Sequence, residues 1–249
     1  MSGHSKWATI KHKKGAVDKA RGKLFAKIAR QLEVAARDGG GDPNSNATLR
    51  TVMLKAKAGQ MTNDAIDRAI KRGTGEDDGG TYEAITYEGY APGGVALLID
   101  VLTDNRNRTG AEVRHVLTKH GGSLGEPGSV GYLFDKKGVL VVDAGRYSED
   151  DLIPAIDAGA EDIALDDDVF EILTEPGDLA SVREALAGTG VAIDSYEVVQ
   201  RPRAQVPVPE DQAGKLVRLI DALEENDDVN AVHANFDVAA DVLERVMAG

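Results

Sequence analysis

The strongest constraint on the fold is a change of periodicity at residues 73–80, Gly-Thr-Gly-Glu-Asp-Asp-Gly-Gly. Before it, apolar residues recur at helical spacing and Pro43 is the only proline. After it, short runs rich in β-branched residues alternate with helical stretches, a pattern of strands and covering helices. Such a chain cannot form one uniform layer. It predicts an α+β multidomain protein: a three-helix domain, then α/β domains of split β-α-β, ferredoxin-like character.

The helical part divides at Gly and Pro. Residues 16–37 contain no proline and one glycine, and place Val17, Leu24, Ile28, Leu32 and Ala35 on one side. A second helix is expected over 45–58. The third has its end signals in order: Thr62 as N-cap, Asp64 and Asp67 early, Arg68, Lys71 and Arg72 late, Gly73 as stop. Beyond the 73–80 linker, strands are expected at 81–89 and 94–103 and a helix at 106–120. Strands at 130–135 and 139–143 follow, joined by a turn at Lys136-Lys137-Gly138. Next come a helix at 148–158, strands at 162–165 and 169–175, a helix at 178–187 and a strand at 192–199. A linker at 201–209 with three prolines precedes a helix at 210–225, a strand at 229–236 and a helix at 239–246. Residues 80–129 offer too few elements to cover their own sheet, and 203–249 are too few to stand alone. The expected organisation is therefore a basic helical domain (1–79), a discontinuous middle domain (80–129 with 203–249) and an inserted α/β domain (130–202).

Charge changes at the same boundary as periodicity. The chain carries a net −13, yet residues 1–75 hold 16 Lys and Arg against six acids, and residues 76–249 hold 13 against 36. The first thirty residues have nine Lys or Arg and one acid, Asp18. At about 100° per residue, Lys19, Lys23, Lys27, Arg30 and Arg37 fall opposite the apolar side of the first helix. Only Glu33 stands close enough to relieve that repulsion along the helix. A stripe of one sign is stabilised by a polyanion, and the expected partner is nucleic acid, bound by Lys6, Trp7, Lys11, Lys13, Lys14, Lys19, Lys23, Lys27 and Arg30. Trp7 either anchors the tail on the helical domain or stacks on a base. Phe25 is the only other aromatic residue before residue 80, so backbone phosphates should dominate and sequence specificity should be weak.

A second basic feature sits in Asp104-Asn105-Arg106-Asn107-Arg108-Thr109, between a strand and a helix start. Acids are favoured at that helix end, yet two arginines occupy it. Asn105, Arg106, Asn107, Arg108 and Thr109 form either a phosphate site on free backbone N–H groups, or a helix start where Asp104 caps and pairs one arginine.

The sequence excludes several chemistries. Without cysteine there is no disulfide, no thiolate-held metal and no thiol nucleophile. The five histidines, His4, His12, His115, His120 and His233, form no metal-ligand spacing. Asp166-Asp167-Asp168 lacks the glycine of a calcium loop and reads as a turn. No nucleophile elbow or phosphate-binding Gly-Lys loop is present. The expectation is a non-enzymatic protein with no metal, cofactor or small-molecule substrate. The longest apolar run, residues 95–99, is too short for a bilayer, so no membrane is expected and the location is cytoplasmic.

Gly3-His4-Ser5-Lys6-Trp7, Lys11-His12-Lys13-Lys14 and Lys23-Leu24-Phe25 resemble the N-terminus of the YebC/PmpR family. Tyr87-Glu88-Gly89-Tyr90-Ala91-Pro92-Gly93-Gly94, residues 103–109 and His120-Gly121-Gly122-Ser123-Leu124 look like its other signatures. Tyr132 departs from it, standing where many members have Trp, with an effect expected on packing of the third domain. The resemblance implies a three-domain, non-enzymatic, cytoplasmic protein. Bacterial members are described as probable DNA-binding transcriptional regulators, and the mitochondrial relative activates translation of cytochrome oxidase subunit I. Two partners follow as expectations: DNA in a transcriptional regulator, or ribosomal RNA in a translation factor.

Overall fold

The structure is a computed structural model that describes residues 19–78, 81–166 and 168–248. Two compact units emerge, Leu133–Ala204 and the remainder of the described chain.

In the larger unit, three helices come first: α1 (Lys19–Gly39), α2 (Ala47–Ala58) and α3 (Asn63–Thr74). Ile28, Leu32, Ala35, Leu49, Ala56, Ile66 and Ala69 bury together between them. Leu24, placed on the apolar side by spacing alone, is 42% exposed, whereas its neighbour Phe25 packs against the helical core. Asn46 joins two of the helices. Its side chain accepts from the Leu49 N–H at 3.0 Å as N-cap of α2 and donates to the carbonyls of Ala35 and Gly40 at the end of α1. Thr62 caps α3, whose C-cap is Gly75 at φ 81°.

Gly73 is therefore not the stop that its position suggested. It lies inside α3 and is buried, and a Cβ built on it would stand 2.2 Å from the Glu33 carbonyl oxygen and 2.8 Å from Ala36 Cβ. Glycine is present because α1 crosses there, not because the helix ends.

The rest of this unit is one sheet with covering helices. Strand β1 (Glu83–Tyr90) pairs antiparallel with β2 (Ala96–Thr103), Glu83 opposite Thr103 and Tyr90 opposite Ala96. After α4 (Arg106–Lys119) and β3 (Ser123–Leu124), the chain returns only at β8 (Val206–Pro207), α7 (Glu210–Glu224), β9 (Val229–Ala234), β10 (Phe236–Asp237) and α8 (Ala240–Ala248). The order β3-β1-β2-β9 puts β2 inside the sheet, and its residues are almost continuously buried. Leu97, Ile99, Val113, Leu117, Leu216, Ile220, Val232 and Phe236 share one core, so segments more than a hundred residues apart close the same sheet. The proline-rich 201–209 stretch is more ordered than a linker: β8 within it pairs in parallel with β10.

The smaller unit holds β4 (Phe134–Asp143), α5 (Ile153–Asp157), β5 (Ala160–Asp166), β6 (Val169–Thr174), α6 (Leu179–Gly188) and β7 (Ser195–Pro202), in sheet order β5-β6-β4-β7. All neighbours are antiparallel, and β4 and β5 flank β6, the split β-α-β arrangement. Two local expectations fail here. Residues 136–138 do not turn; β4 runs straight through them, and a Cβ on Gly138 would meet Thr174 Oγ1 at 2.3 Å and Leu179 Cβ at 3.0 Å. The 148–158 helix begins as a 3-10 turn, Glu149–Leu152, with a Ser148–Asp151 capping box. Tyr132, just before this unit, is 66% exposed.

Candidate nucleic-acid interface

Lys6, Trp7, Lys11, Lys13 and Lys14 lie outside the described residues, and Lys19 opens α1. Lys23, Lys27 and Arg30 lie against the chain's own acidic segment. Lys27 Nζ donates to the Glu224 carbonyl at 2.7 Å and Lys23 Nζ to the Glu225 carbonyl at 3.3 Å. These are carbonyls at the C-terminal end of α7, where the helix dipole is negative and a cation is favoured. Arg30 donates to the Asp227 carbonyl at 2.8 Å and to Asp228 Oδ1 at 3.0 Å. Gln31 continues the row onto Asn230, and the Arg30 guanidinium stacks 5.4 Å from the Tyr82 ring centroid.

The expected solvent-facing stripe is thus partly consumed inside the fold. Lys27 and Arg30 are half-buried, whereas Lys23 stays exposed despite its 3.6 Å ion pair with Asp227. Burial pulls the Lys27 amine below its usual value, with Glu224 and Asp227 opposing the shift. Arg37 turns to the buried Glu33, which also takes Arg72 at 3.1 Å. The matching signal in the sequence is Glu224-Glu225-Asn226-Asp227-Asp228, an acidic run whose sign complements the stripe. It spans the end of the helix expected at 210–225 and the gap before the strand expected at 229–236, where nothing local shows what it meets.

The Asn105–Thr109 loop meets the same segment from the other side. Asn105, not Asp104, caps α4, its Oδ1 accepting from the Arg108 N–H at 3.1 Å. Arg108 bridges Asp104 at 2.9 Å and Asp228 Oδ2 at 2.6 Å. Thr109 Oγ1 donates to Asp228 Oδ2 at 2.6 Å, and Thr103 Oγ1 lies 3.2 Å from that oxygen. An oxyanion is held at this helix start, and it is the chain's own carboxylate. An external phosphate would have to displace it. Arg106 and Asn107 are exposed and make no side-chain hydrogen bond or ion pair among the described residues.

Asp228 therefore joins Arg30 of the helical part to Arg108, Thr103 and Thr109 of the sheet part. Burial raises its carboxyl, but donation from Thr109 and Arg108 with the Arg108 charge outweighs it and holds it below the ordinary carboxylate value. Glu88 behaves alike: burial raises it, but donation from the backbone N–H groups of Val130, Gly128 and Gly131, at 2.6–2.8 Å, outweighs that and holds it below the ordinary carboxylate value. Both folded values lie below the unfolded ones, so their stabilisation is complete above the unfolded carboxylate value, about 4. It is lost as pH falls through the folded values. Thermal melts between neutral pH and about pH 3 should show a steep acid loss in the native chain that flattens in Asp228→Asn and in Glu88→Gln. An unchanged acid limb in both variants would contradict this assignment.

Models of two family regions match the chain: the TACO1/YebC protein N-terminal domain over residues 5–76, and the TACO1/YebC second and third domain over residues 82–236. The chain belongs to the TACO1/YebC family. A TACO1/YebC relative from Acidothermus cellulolyticus is 54% identical over 99% of this chain and 100% of its own. One from Rubrobacter xylanophilus is 52% identical over 99% of each. Both are named "Probable transcriptional regulatory protein". The crystal structure of a conserved hypothetical protein from Aquifex aeolicus is 47% identical, covers 90% of this chain and 93% of its own, and superposes with a TM-score of 0.80. The fold is α+β, with a helical N-terminal region followed by α/β parts, and the role that the family's names give is regulatory rather than enzymatic. Among the described residues no helix is long and apolar enough to cross a membrane, and no group of His, Asp or Glu could hold a metal ion.

Proposed function

We propose that this chain is a non-enzymatic, cytoplasmic regulator of gene expression that binds DNA through phosphate contacts from its basic N-terminal domain. The observation that carries this reading is the separation of 16 Lys and Arg against six acids in residues 1–75 from 13 against 36 in the remainder. The name of its relatives supports it. Lys6, Lys11, Lys13, Lys14, Lys19 and the exposed Lys23 make the phosphate contacts, with Trp7 on a base or groove. Lys27 and Arg30 are positioning residues, since they hold α1 against 224–228. Arg106 supplies a further contact.

About six phosphate contacts at roughly −0.9 each give a log–log salt slope near −5 on duplex DNA. Replacing Lys6, Lys11, Lys13 and Lys14 by alanine should bring the slope to about −2 to −3, at roughly −0.9 for each remaining contact. A flat response in the unaltered chain would overturn nucleic-acid binding. Reversing Lys19, Lys23 and Lys27 to Glu is the weaker test, because Lys27→Glu also breaks the contact with α7.

Ribosomal RNA is the second reading, favoured by the engaged state of Lys27 and Arg30. With that face of α1 docked on 224–228, Lys27 and Arg30 are not free to read bases in a major groove. Crosslinking in cells followed by sequencing separates the two: promoter DNA supports the first, ribosomal RNA the second.

A further inference from the structure

The smaller unit carries a surface that nucleic-acid binding does not use. Among the described residues five large apolar side chains are markedly exposed, and three of them lie within thirteen residues: Ile153 at 51%, Ile156 at 58% and Leu165 at 63%. Ile153 and Ile156, on α5, face Ala160 and Ile163 of β5 across a groove of about 390 Å³. Its rim is Glu149, Asp150, Glu161 and Asp162. Lys137 neutralises Glu161, whereas Glu149, Asp150 and Asp162 form no ion pair among the described residues. The whole unit holds 17 acids against six Lys and Arg. Beside the groove, β5 pairs among the described residues on one side only, with β6, which leaves its other edge as the place where a further strand can add.

We propose that this groove docks an extended, Lys/Arg-rich segment of a partner protein, which adds to the free edge of β5 as a further strand. A strand paired there directs alternate side chains toward one face. Apolar residues at those positions cover Ile153 and Ile156, basic residues between them lie on the opposite face beside Asp162, and a basic residue at the end of the segment meets Glu149 and Asp150. Charge complementarity decides the occupant. A second copy pairing edge to edge would bring Glu161, Asp162 and Asp166 beside the same acids, and a nucleic acid would meet an acidic rim.

The test uses the full chain and a fluorescein-labelled octapeptide of alternating Lys and Val, followed by fluorescence anisotropy. Saturable binding is expected, weakened at least about tenfold by N-methylation of alternate peptide amides and by the Ile153→Glu/Ile156→Glu pair. Equal binding of the N-methylated peptide would reduce the attraction to counter-ion pairing and overturn the proposal. So would absence of saturable binding, or self-association of the chain that the paired substitution abolishes. Should that pair unfold the unit, as read by circular dichroism, the exposed Asp162→Lys replaces it and must weaken binding. The N-methylated comparison needs no variant at all.

Discussion

Asp228→Ala is expected to lower the unfolding free energy of the larger unit by about 2 kcal/mol, the cost of removing a buried acceptor whose charged partners are themselves partly exposed. The side chain is 7% exposed and accepts from Arg30, Arg108, Thr109 and Thr103. Its removal takes one acceptor each from Arg30, Arg108 and the buried Thr103 and Thr109 hydroxyls, while Arg108 keeps Asp104 and Arg30 keeps the Asp227 carbonyl. Asp228→Asn keeps the shape but not the charge and should lose less. Arg30→Ala, at a side chain 24% exposed, should cost about 1 kcal/mol, nearer to a partly exposed pair. Urea titrations of the variants measure these differences directly. A loss below about 1 kcal/mol for Asp228→Ala would mean that the network is only a surface arrangement.

The second large effect reverses an ordinary rule. In a helix interior, Gly→Ala normally stabilises by about 0.5–1 kcal/mol, because glycine loses more backbone freedom on folding. At Gly73 the substitution should instead destabilise by about 2 kcal/mol, and Gly73→Val by about 3 kcal/mol or more. The added methyl would meet the Glu33 carbonyl oxygen, a backbone atom that no rotamer change can move. Relief requires α1 and α3 to separate, which loosens Ala36 and Ala69 in the core. At Gly138 the same holds on a strand: an added methyl would meet the buried, hydrogen-bonded Thr174 hydroxyl and Leu179 Cβ, so Gly138→Ala should also destabilise. Chemical denaturation of Gly73→Ala decides the point; a stabilised variant would show that the helices have room.

The three N-terminal helices were legible because their signals are local. Thr62, Asp64, Lys71 and Arg72 act within one turn of a helix end, and the burial of Ile28, Leu32 and Ala35 follows from spacing within α1. The strand pairs β1–β2 and β5–β6 were legible for the same reason, as alternation bounded by turn residues. The two glycines misread as punctuation were not. Gly73 answers to Glu33, forty residues away, and Gly138 to Thr174 and Leu179. A glycine that opens a turn and one that admits a crossing helix look identical until the neighbour is in place. The candidate interface divides in the same way: the charge of Lys23, Lys27 and Arg30 was readable, and their contacts on Glu224, Glu225, Asp227 and Asp228 were not.

By itself, the amino-acid order determined the class of fold and the separation of a basic helical part from an acidic remainder. Periodicity and charge are properties of residues and their near neighbours, so they survive without a structure. Only the tertiary fold decided which of those charges are available. Coulombic partners are chosen by distance in space, and the last turn of α7 comes to α1 only because β9 closes the sheet against β2. That closure places Asp228 among Arg30, Arg108 and Thr109, where the chain's own carboxylate occupies the place of an external anion.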